Sequence, residues 1–210
     1  MIMVKVKICG ITNLEDALLA ADLGADALGF IFYPPSPRSI TVDAARTIIA
    51  QLPPFVTTVG VFVDEDPARV KELAAAVGLD WLQLHGKETP EYCRSLDRRV
   101  IKAFRIKDEN SLDELAPYQG AAQALLLDTY KKGQVGGTGE TFNWNLALEA
   151  KKYGPIILAG GLTAANVSEA ISVAQPVAVD VASGVEVSPG KKDPEKLKAF
   201  FAAIKGTCDQ

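Results

Sequence analysis

The stretch VKVKICG, residues 4–10, opens the regular structure of this chain. Val4, Val6 and Ile8 alternate with Lys5 and Lys7, which is the period-two pattern of a β-strand with two different faces. The stretch therefore predicts a first strand with apolar side chains on one face and charged side chains on the other.

Cys9 lies at the carboxyl end of this predicted strand, followed by Gly10 and by Thr12 and Asn13, which can cap a helix. A thiol at a strand end that faces a loop is well placed for catalysis. Cysteine is also among the most buried residue types, so this stretch alone favours a structural role. Both interpretations remain open until the rest of the chain is considered.

Segments with strand character alternate along the chain with segments of helical periodicity, including predicted helices over 112–118 and 144–153. The eight predicted strands cover residues 4–10, 27–32, 58–63, 81–84, 100–104, 124–127, 155–159 and 177–181. One strand–helix unit recurs about every 26 residues, a rhythm typical of parallel strands joined by helices. Because no GxGxxG follows the first strand, eight units favour a closed barrel over an open doubly wound sheet. The prediction is an α/β fold, a single compact (β/α)8 TIM barrel domain over residues 1–210.

Composition excludes several function classes. The chain has 210 residues, 48% hydrophobic and 23% charged, with a net charge of −4, so it lacks the basic surface of a nucleic-acid-binding protein. Three widely spaced cysteines form no disulfide framework and no CxxC metal site, which indicates a reducing compartment. We see neither a signal peptide nor an apolar run of the ~20 residues that cross a membrane. We therefore expect a cytoplasmic protein with no nucleic-acid or membrane partner.

In a (β/α)8 barrel the active site lies at the carboxyl ends of the strands. Side chains with useful chemistry occur at or after those ends: Cys9, Arg38, Asp64, His85, Arg105, Asp128 and Asp180. Cys9 and Asp128 leave the first and sixth strands, so they can face each other across a substrate. This placement shifts the interpretation of Cys9 towards catalysis.

The loops after the last two strands indicate the class of ligand. Gly160 and Gly161 follow the seventh strand and let backbone N–H groups approach a ligand closely. After the eighth strand, Ser183, Gly184 and Glu186 have capping-box spacing, which predicts a short extra helix with Ser183 as N-cap. The N-terminus of such a helix attracts anions, and these two loops form the usual phosphate site of barrel enzymes. Either motif alone is compatible with tight turns; together they predict phosphate binding.

Six motifs, in register along the chain, resemble the phosphoribosylanthranilate isomerases of tryptophan biosynthesis. They are KICGIT (7–12), GF (29–30) with SPRS (36–39), QLHG (83–86), GGTG (136–139), AGGL (159–162), and VDV (179–181) with SGVE (183–186). The resemblance covers essentially the whole chain, from residue 5 to about 193. One departure is Ala182, where the family is expected to carry serine, and it removes one hydroxyl near the phosphate.

The resemblance implies an Amadori rearrangement of N-(5-phosphoribosyl)anthranilate to the corresponding 1-amino-1-deoxyribulose phosphate. By analogy with the family, Asp128 is the acid that protonates the furanose oxygen, and Cys9 is the base that removes the C2 proton. A free carboxyl titrates near 3.9, so Asp128 has to hold its proton through burial or a neighbouring carboxylate. A free thiol titrates near 8.5, so Cys9 needs nearby positive charge or N–H donors.

The resemblance also implies roles in binding. Arg38 pairs with the anthranilate carboxylate through its planar fork, although a solvated loop arginine is the ordinary alternative. His85 and Asp180 line the site or orient other groups, and a packed histidine and an ordinary strand-end aspartate are their alternatives. The glycine-rich loop 129–141 closes over the substrate or is simply a surface loop. We expect no cofactor and no metal, a small-molecule substrate, and a monomer or homodimer.

Two other functions remain open. A related barrel can isomerise a phosphoribosyl amine of histidine synthesis, but that substrate has phosphates at both ends and needs a second anion site. The chain can also be a non-catalytic phosphosugar-binding barrel. The presence of both Cys9 and Asp128 disfavours that function, because binding alone requires neither.

Overall fold

Eight parallel strands, hydrogen-bonded in chain order, close into a barrel in the computed structural model, which describes residues 4–129 and 143–206. The strands are β1 (Lys5–Cys9), β2 (Ala27–Ile31), β3 (Thr57–Phe62), β4 (Trp81–Leu84), β5 (Arg99–Ile106), β6 (Ala124–Thr129), β7 (Ile156–Leu158) and β8 (Ala178–Val181). The barrel closes where β8 pairs with β1, with Lys7 in register with Asp180. The predicted (β/α)8 fold is confirmed.

Helices connect the strands on the outside of the barrel. They are α1 (Leu14–Leu23), α2 (Val42–Ile49), α3 (Pro67–Val77), α4 (Pro90–Ser95), α5 (Asn145–Ala150), α6 (Val167–Ala174) and α7 (Pro194–Lys205). Asn13 caps α1 by accepting a hydrogen bond from the backbone N–H of Asp16. The helix predicted over 112–118 is a 3₁₀ helix, Glu109–Tyr118, with Pro117 inside it. In the part of the chain that the structure describes, no helix is long and apolar enough to cross a bilayer.

Successive side chains of β1 point alternately to the outside and to the inside of the barrel wall. Val6 and Ile8 lie in the large core between the strands and the helices. A smaller core fills the barrel itself and consists of Val59, Ile101, Ala103, Ala124, Leu126, Ile157 and Ala159. Because successive side chains of a strand point to opposite faces, Lys7 and Cys9 lie on the inner side. The charged face of the first strand thus contributes a lysine to the barrel interior.

The segment after β8 differs from the prediction. One turn of 3₁₀ helix, Ser183–Val185, follows Ala182 and has no side-chain cap, so the predicted capping box is wrong. The chain then forms a two-stranded hairpin, β9 (Glu186–Ser188) and β10 (Lys191–Lys192), which was not predicted. The Glu186 carboxylate binds Arg38 and Lys192 instead of capping the turn. Hydrogen bonds between charged groups are roughly twice as strong as those between neutral groups, so the ion pairs of Glu186 are favoured over a helix cap.

Candidate active site

One cavity opens at the carboxyl ends of the strands. It is lined by every site residue predicted from the sequence: Cys9, Arg38, His85, Asp128, Gly160, Gly161, Asp180, Ser183 and Gly184. The predicted loop 129–141 lies almost wholly outside the described residues, as does the GGTG motif. Asp64 and Arg105, also noted at strand ends, are not among the residues that line the cavity.

The first and last strands bring Lys7, Cys9 and Asp180 together, and Cys9 and Asp180 line the cavity. Lys7 Nζ donates to Asp180 Oδ1 at 2.8 Å, and the two side chains are only 3% and 8% exposed. Burial opposes the charge of Lys7, but the Asp180 carboxylate, together with the Cys9 thiolate when that forms, outweighs burial and holds the pKa of Lys7 above its ordinary value. The ion pair therefore keeps a full positive charge inside the barrel.

The Cys9 thiol lies beside this ammonium. Burial raises the pKa of Cys9 above its ordinary value, while the adjacent charge of Lys7 acts in the opposite direction. The positive charge that the sequence argument required is thus present, but burial has the larger effect. In the resting site the thiol is the favoured form at neutral pH.

Gly29 on β2 provides the space for these two side chains. It is in register with Cys9, and a Cβ at this position would lie 2.8 Å from Cys9 Sγ and 3.1 Å from Lys7 Nζ. Any larger residue would displace the thiol or the ammonium. The glycine of the GF motif is therefore required by the geometry of the site.

Asp128 lies on the opposite side of the cavity, near the end of β6, and is 8% exposed. His85 Nε2 lies 3.5 Å from Asp128 Oδ2. The other ring nitrogen, Nδ1, is 3.2 Å from the amide Nε2 of Gln83, a buried residue of β4. An amide nitrogen only donates, so Nδ1 accepts in this contact and the proton of the neutral ring lies on Nε2, directed at Asp128.

The loops after β7 and β8 meet at the other end of the cavity. Gly160 and Gly161 have φ angles of +81° and +67°, a left-handed conformation that glycine adopts without strain. Gly184 approaches so closely that a Cβ there would overlap the backbone carbonyl of Leu162. These glycines leave backbone N–H groups accessible to an anion, as in barrel phosphate sites. Ala182 contributes a methyl group here rather than a hydroxyl.

Arg38 lines the cavity, but its guanidinium already has a partner within the chain. Its Nε lies 2.9 and 3.0 Å from the two carboxylate oxygens of Glu186, and its Nη2 lies 2.7 Å from Oε2. Lys192, which is 1% exposed, donates to the same carboxylate at 3.0 Å and to the backbone carbonyl of Cys9 at 2.6 Å. Burial disfavours the Glu186 anion, but Arg38 and Lys192 outweigh it and hold the pKa of this carboxyl below its ordinary value.

No role was predicted from the sequence for Lys7, Gln83 or Lys192, and the capping role predicted for Glu186 was wrong. Lys7 and Gln83 stand within the quoted motifs, two positions before Cys9 and His85. Since side chains two apart on a strand share a face, this spacing was a usable signal. No comparable local signal marks Lys192, because a hairpin brings it to the site.

Comparison with known proteins gives a consistent result. The family model of N-(5'phosphoribosyl)anthranilate (PRA) isomerase matches residues 6–203. The N-(5'-phosphoribosyl)anthranilate isomerase of Geobacter sulfurreducens (strain ATCC 51573 / DSM 12127 / PCA) is 55% identical over 204 residues, 97% of this chain and 100% of that protein.

Solved structures agree with this match. The crystal structure of phosphoribosyl anthranilate isomerase from Thermotoga maritima has a TM-score of 0.92 and 46% identity, covering 97% of this chain and 100% of that one. A second crystal structure of the enzyme, in complex with reduced 1-(o-carboxyphenylamino)-1-deoxyribulose 5-phosphate, has a TM-score of 0.88 and 45% identity, with the same coverage. By its sequence, its fold and the match along nearly its whole length, this chain belongs to the N-(5'-phosphoribosyl)anthranilate isomerase family.

Proposed function

We propose that this chain converts N-(5-phosphoribosyl)anthranilate to 1-(2-carboxyphenylamino)-1-deoxyribulose 5-phosphate in tryptophan biosynthesis, with Cys9 and Asp128 as its acid–base pair. The observation that carries the proposal is that both side chains line one cavity, which ends in a glycine-rich anion site. A rearrangement that only moves protons requires an acid, a base and a way to hold the substrate.

The cavity suggests how the substrate is held. The phosphate of the substrate lies against the backbone of Gly160, Gly161, Ser183 and Gly184, where N–H groups replace the water around the anion. Its anthranilate carboxylate pairs with Arg38. The ribose then spans the space between Cys9 and Asp128.

Asp128 begins the reaction as the acid. Its carboxyl protonates the furanose ring oxygen, the bond from C1 to that oxygen breaks, and the nitrogen lone pair forms the Schiff base. His85, 3.5 Å from Asp128, orients the carboxyl during this step. A positioned acid of this kind contributes roughly 10²–10⁴-fold in rate.

Cys9 then acts as the base. Its thiolate removes the C2 proton, and the electrons form the C1–C2 double bond of the enolamine while the nitrogen is neutralised. In the tautomerisation the Cys9 thiol gives its proton to C1 and the Asp128 carboxylate accepts the proton of the C2 hydroxyl, which gives the ketone. Two protons leave the substrate and two are added, so the enzyme ends in its starting protonation state.

Lys7 makes the base step feasible. Burial favours the neutral thiol, while the Lys7 ammonium and, less strongly, the Lys192 ammonium lower the free energy of the thiolate. Asp180 holds the Lys7 ammonium in place through their hydrogen bond. Asp180 therefore acts on the reaction through Lys7, which refines the substrate-binding or orienting role expected from sequence.

The chemistry needs no electron carrier, so we propose catalysis without cofactor or metal, in the cytoplasm, by a monomer or homodimer. Among the described residues that line the cavity, one arginine and one glycine-rich anion site favour a substrate with one phosphate and one carboxylate over the two-phosphate substrate of histidine synthesis.

A direct assay tests the activity. Purified protein is mixed with phosphoribosylanthranilate generated in place, and the loss of anthranilate-type fluorescence is followed. Turnover supports the proposal. Binding of the reduced product analogue without turnover would instead identify a phosphosugar-binding barrel.

A further inference from the structure

The guanidinium of Arg38 is held along one edge by Glu186. Its Nε and Nη2 both bond this carboxylate, at distances between 2.7 and 3.0 Å. This edge-on, two-point contact fixes the plane of the guanidinium as well as its position. The Glu186 side chain is itself 4% exposed, so water competes little for it.

The stem of Arg38 is fixed as well. It lies on Gly10, directly after Cys9, where a Cβ would be 2.8 Å from Arg38 Cδ and 3.4 Å from its Cβ. Gly10 has a φ of +76°, so the chain turns here in a conformation that favours glycine. The aliphatic part of Arg38 thus packs on the residue after β1, and its guanidinium is held by the hairpin after β8.

Two other contacts hold Glu186 in place. Its Oε1 accepts from Lys192 Nζ at 3.0 Å and from the backbone N–H of Gly190 at 3.3 Å. Gly190 forms the hairpin turn, and its carbonyl accepts a hydrogen bond from Thr12. The carboxylate is therefore built into the hairpin and does not depend on Arg38 for its position.

Arg38 keeps donors for a second carboxylate. A guanidinium has five N–H groups, and the edge contact with Glu186 uses the Nε–H and one Nη2–H. The end formed by Nη1 and the second Nη2–H still matches the two oxygens of a carboxylate. The group of Arg38, Lys192 and Glu186 has a net charge of +1, which remains attractive to an anion.

We propose that Glu186 is a positioning residue for Arg38, holding the guanidinium so that its Nη1–Nη2 end is presented to the ring carboxylate of the substrate. The inference rests on the proposed function, because it takes Arg38 as the group that binds that carboxylate. It assigns part of the specificity for a 2-carboxyphenyl amine to a residue that does not touch the substrate.

Two stable ligands provide the test. One is reduced 1-(2-carboxyphenylamino)-1-deoxyribulose 5-phosphate, and the other is the same compound without the carboxylate. Calorimetric titration of the unmodified chain and of Glu186→Gln gives a Kd for each ligand. We expect Glu186→Gln to weaken the carboxylated ligand by about tenfold or more and the other ligand by less than about twofold.

The sign of the change separates positioning from simple charge. Removing a negative charge beside Arg38 makes the site more positive, so a purely electrostatic role predicts tighter binding of the carboxylated ligand. Tighter binding, no change, or equal weakening of both ligands would each overturn the inference.

Two further variants complete the experiment. Glu186→Asp keeps a negative charge beside Lys192, so we expect it to fold. Its shorter side chain does not reach Arg38 in the same way, so it should show the same selective weakening. It replaces Glu186→Gln in the experiment if that variant does not fold. Arg38→Met should weaken only the carboxylated ligand. If Arg38→Met does not weaken the carboxylated ligand selectively, the role of Arg38 in the proposed function is wrong. If Arg38→Met is selective and neither Glu186 variant is, only the positioning role of Glu186 is wrong.

Discussion

Lys7 and Asp180 form an ion pair inside the barrel, with Lys7 Nζ 2.8 Å from Asp180 Oδ1, and the pair closes the barrel where β8 meets β1. The two residues are 173 positions apart in the sequence. Cys9 lies beside the same ammonium because residues two apart on β1 share a face, and barrel closure supplies the carboxylate that holds this ammonium.

Lys7→Met should make Cys9 harder to ionise. Because burial already raises the pKa of Cys9, the rate of its alkylation by iodoacetamide should rise with pH through a midpoint above the ~8.5 of an ordinary thiol. Lys7→Met should move this midpoint higher, and Asp180→Asn should move it lower, because the aspartate disfavours the thiolate. Peptide mass spectrometry separates Cys9 from Cys93 and Cys208. Equal midpoints in all three proteins would remove the role of Lys7.

The pH dependence of turnover should follow the ionisation of the Cys9 thiol. A base works only when deprotonated, and the raised pKa of Cys9 makes the thiolate a minor species at neutral pH. We expect kcat/KM to increase as pH rises from 6 towards the pKa of the thiol. A flat profile over this range would argue against Cys9 as the base.

Cys9→Ala and Asp128→Asn should each reduce turnover by roughly 10²–10⁴-fold or more, since each removes one of the two proposed proton-transfer groups. Binding of the reduced product analogue should survive in both variants, because neither residue supplies the phosphate or carboxylate contacts. The fluorescence assay gives the rates and calorimetry gives the Kd. Retained turnover in either variant would remove that residue from the mechanism.

Gly29→Ala should reduce turnover strongly while leaving the protein folded. The added methyl would lie 2.8 Å from Cys9 Sγ, and such overpacking typically destabilises a protein by about 1–3 kcal/mol. We expect turnover to fall at least about tenfold while the chain remains folded. Gly206→Ala is the matched control, because a Cβ there meets no atom closer than 3.7 Å. Similar activity in the two variants would contradict the requirement for glycine at position 29.

His85 should carry its proton on Nε2 in the neutral form, because Gln83 Nε2 donates to its Nδ1. The chain has a single histidine, so ¹⁵N NMR of the imidazole reports this tautomer without assignment ambiguity. Gln83→Glu replaces the donor with an acceptor and should move a proton to Nδ1. A wild-type spectrum with the proton on Nδ1 would show that Gln83 does not set the tautomer.

Much of this arrangement follows from local sequence. The alternation of VKVKICG and of the later apolar runs identifies strands, because side-chain direction depends only on position along a strand. Once eight strands alternate with helices, parallel geometry gathers their carboxyl ends at one mouth. Cys9, His85, Asp128 and Asp180 could therefore be placed together without any structure.

Partner choice among charged groups was decided by the tertiary structure. Glu186 has the spacing of a capping residue, yet it binds Arg38, 148 positions away, and Lys192 across the hairpin. Lys7 looks like a solvent-facing lysine in an alternating strand, yet it is buried against Asp180. A buried charge must find an opposite charge to offset its lost hydration, and which one it meets depends on how the barrel closes. The sequence by itself thus determined the strands, most of the helices and the residues that line the cavity, while only the closed fold determined which charges lie beside them.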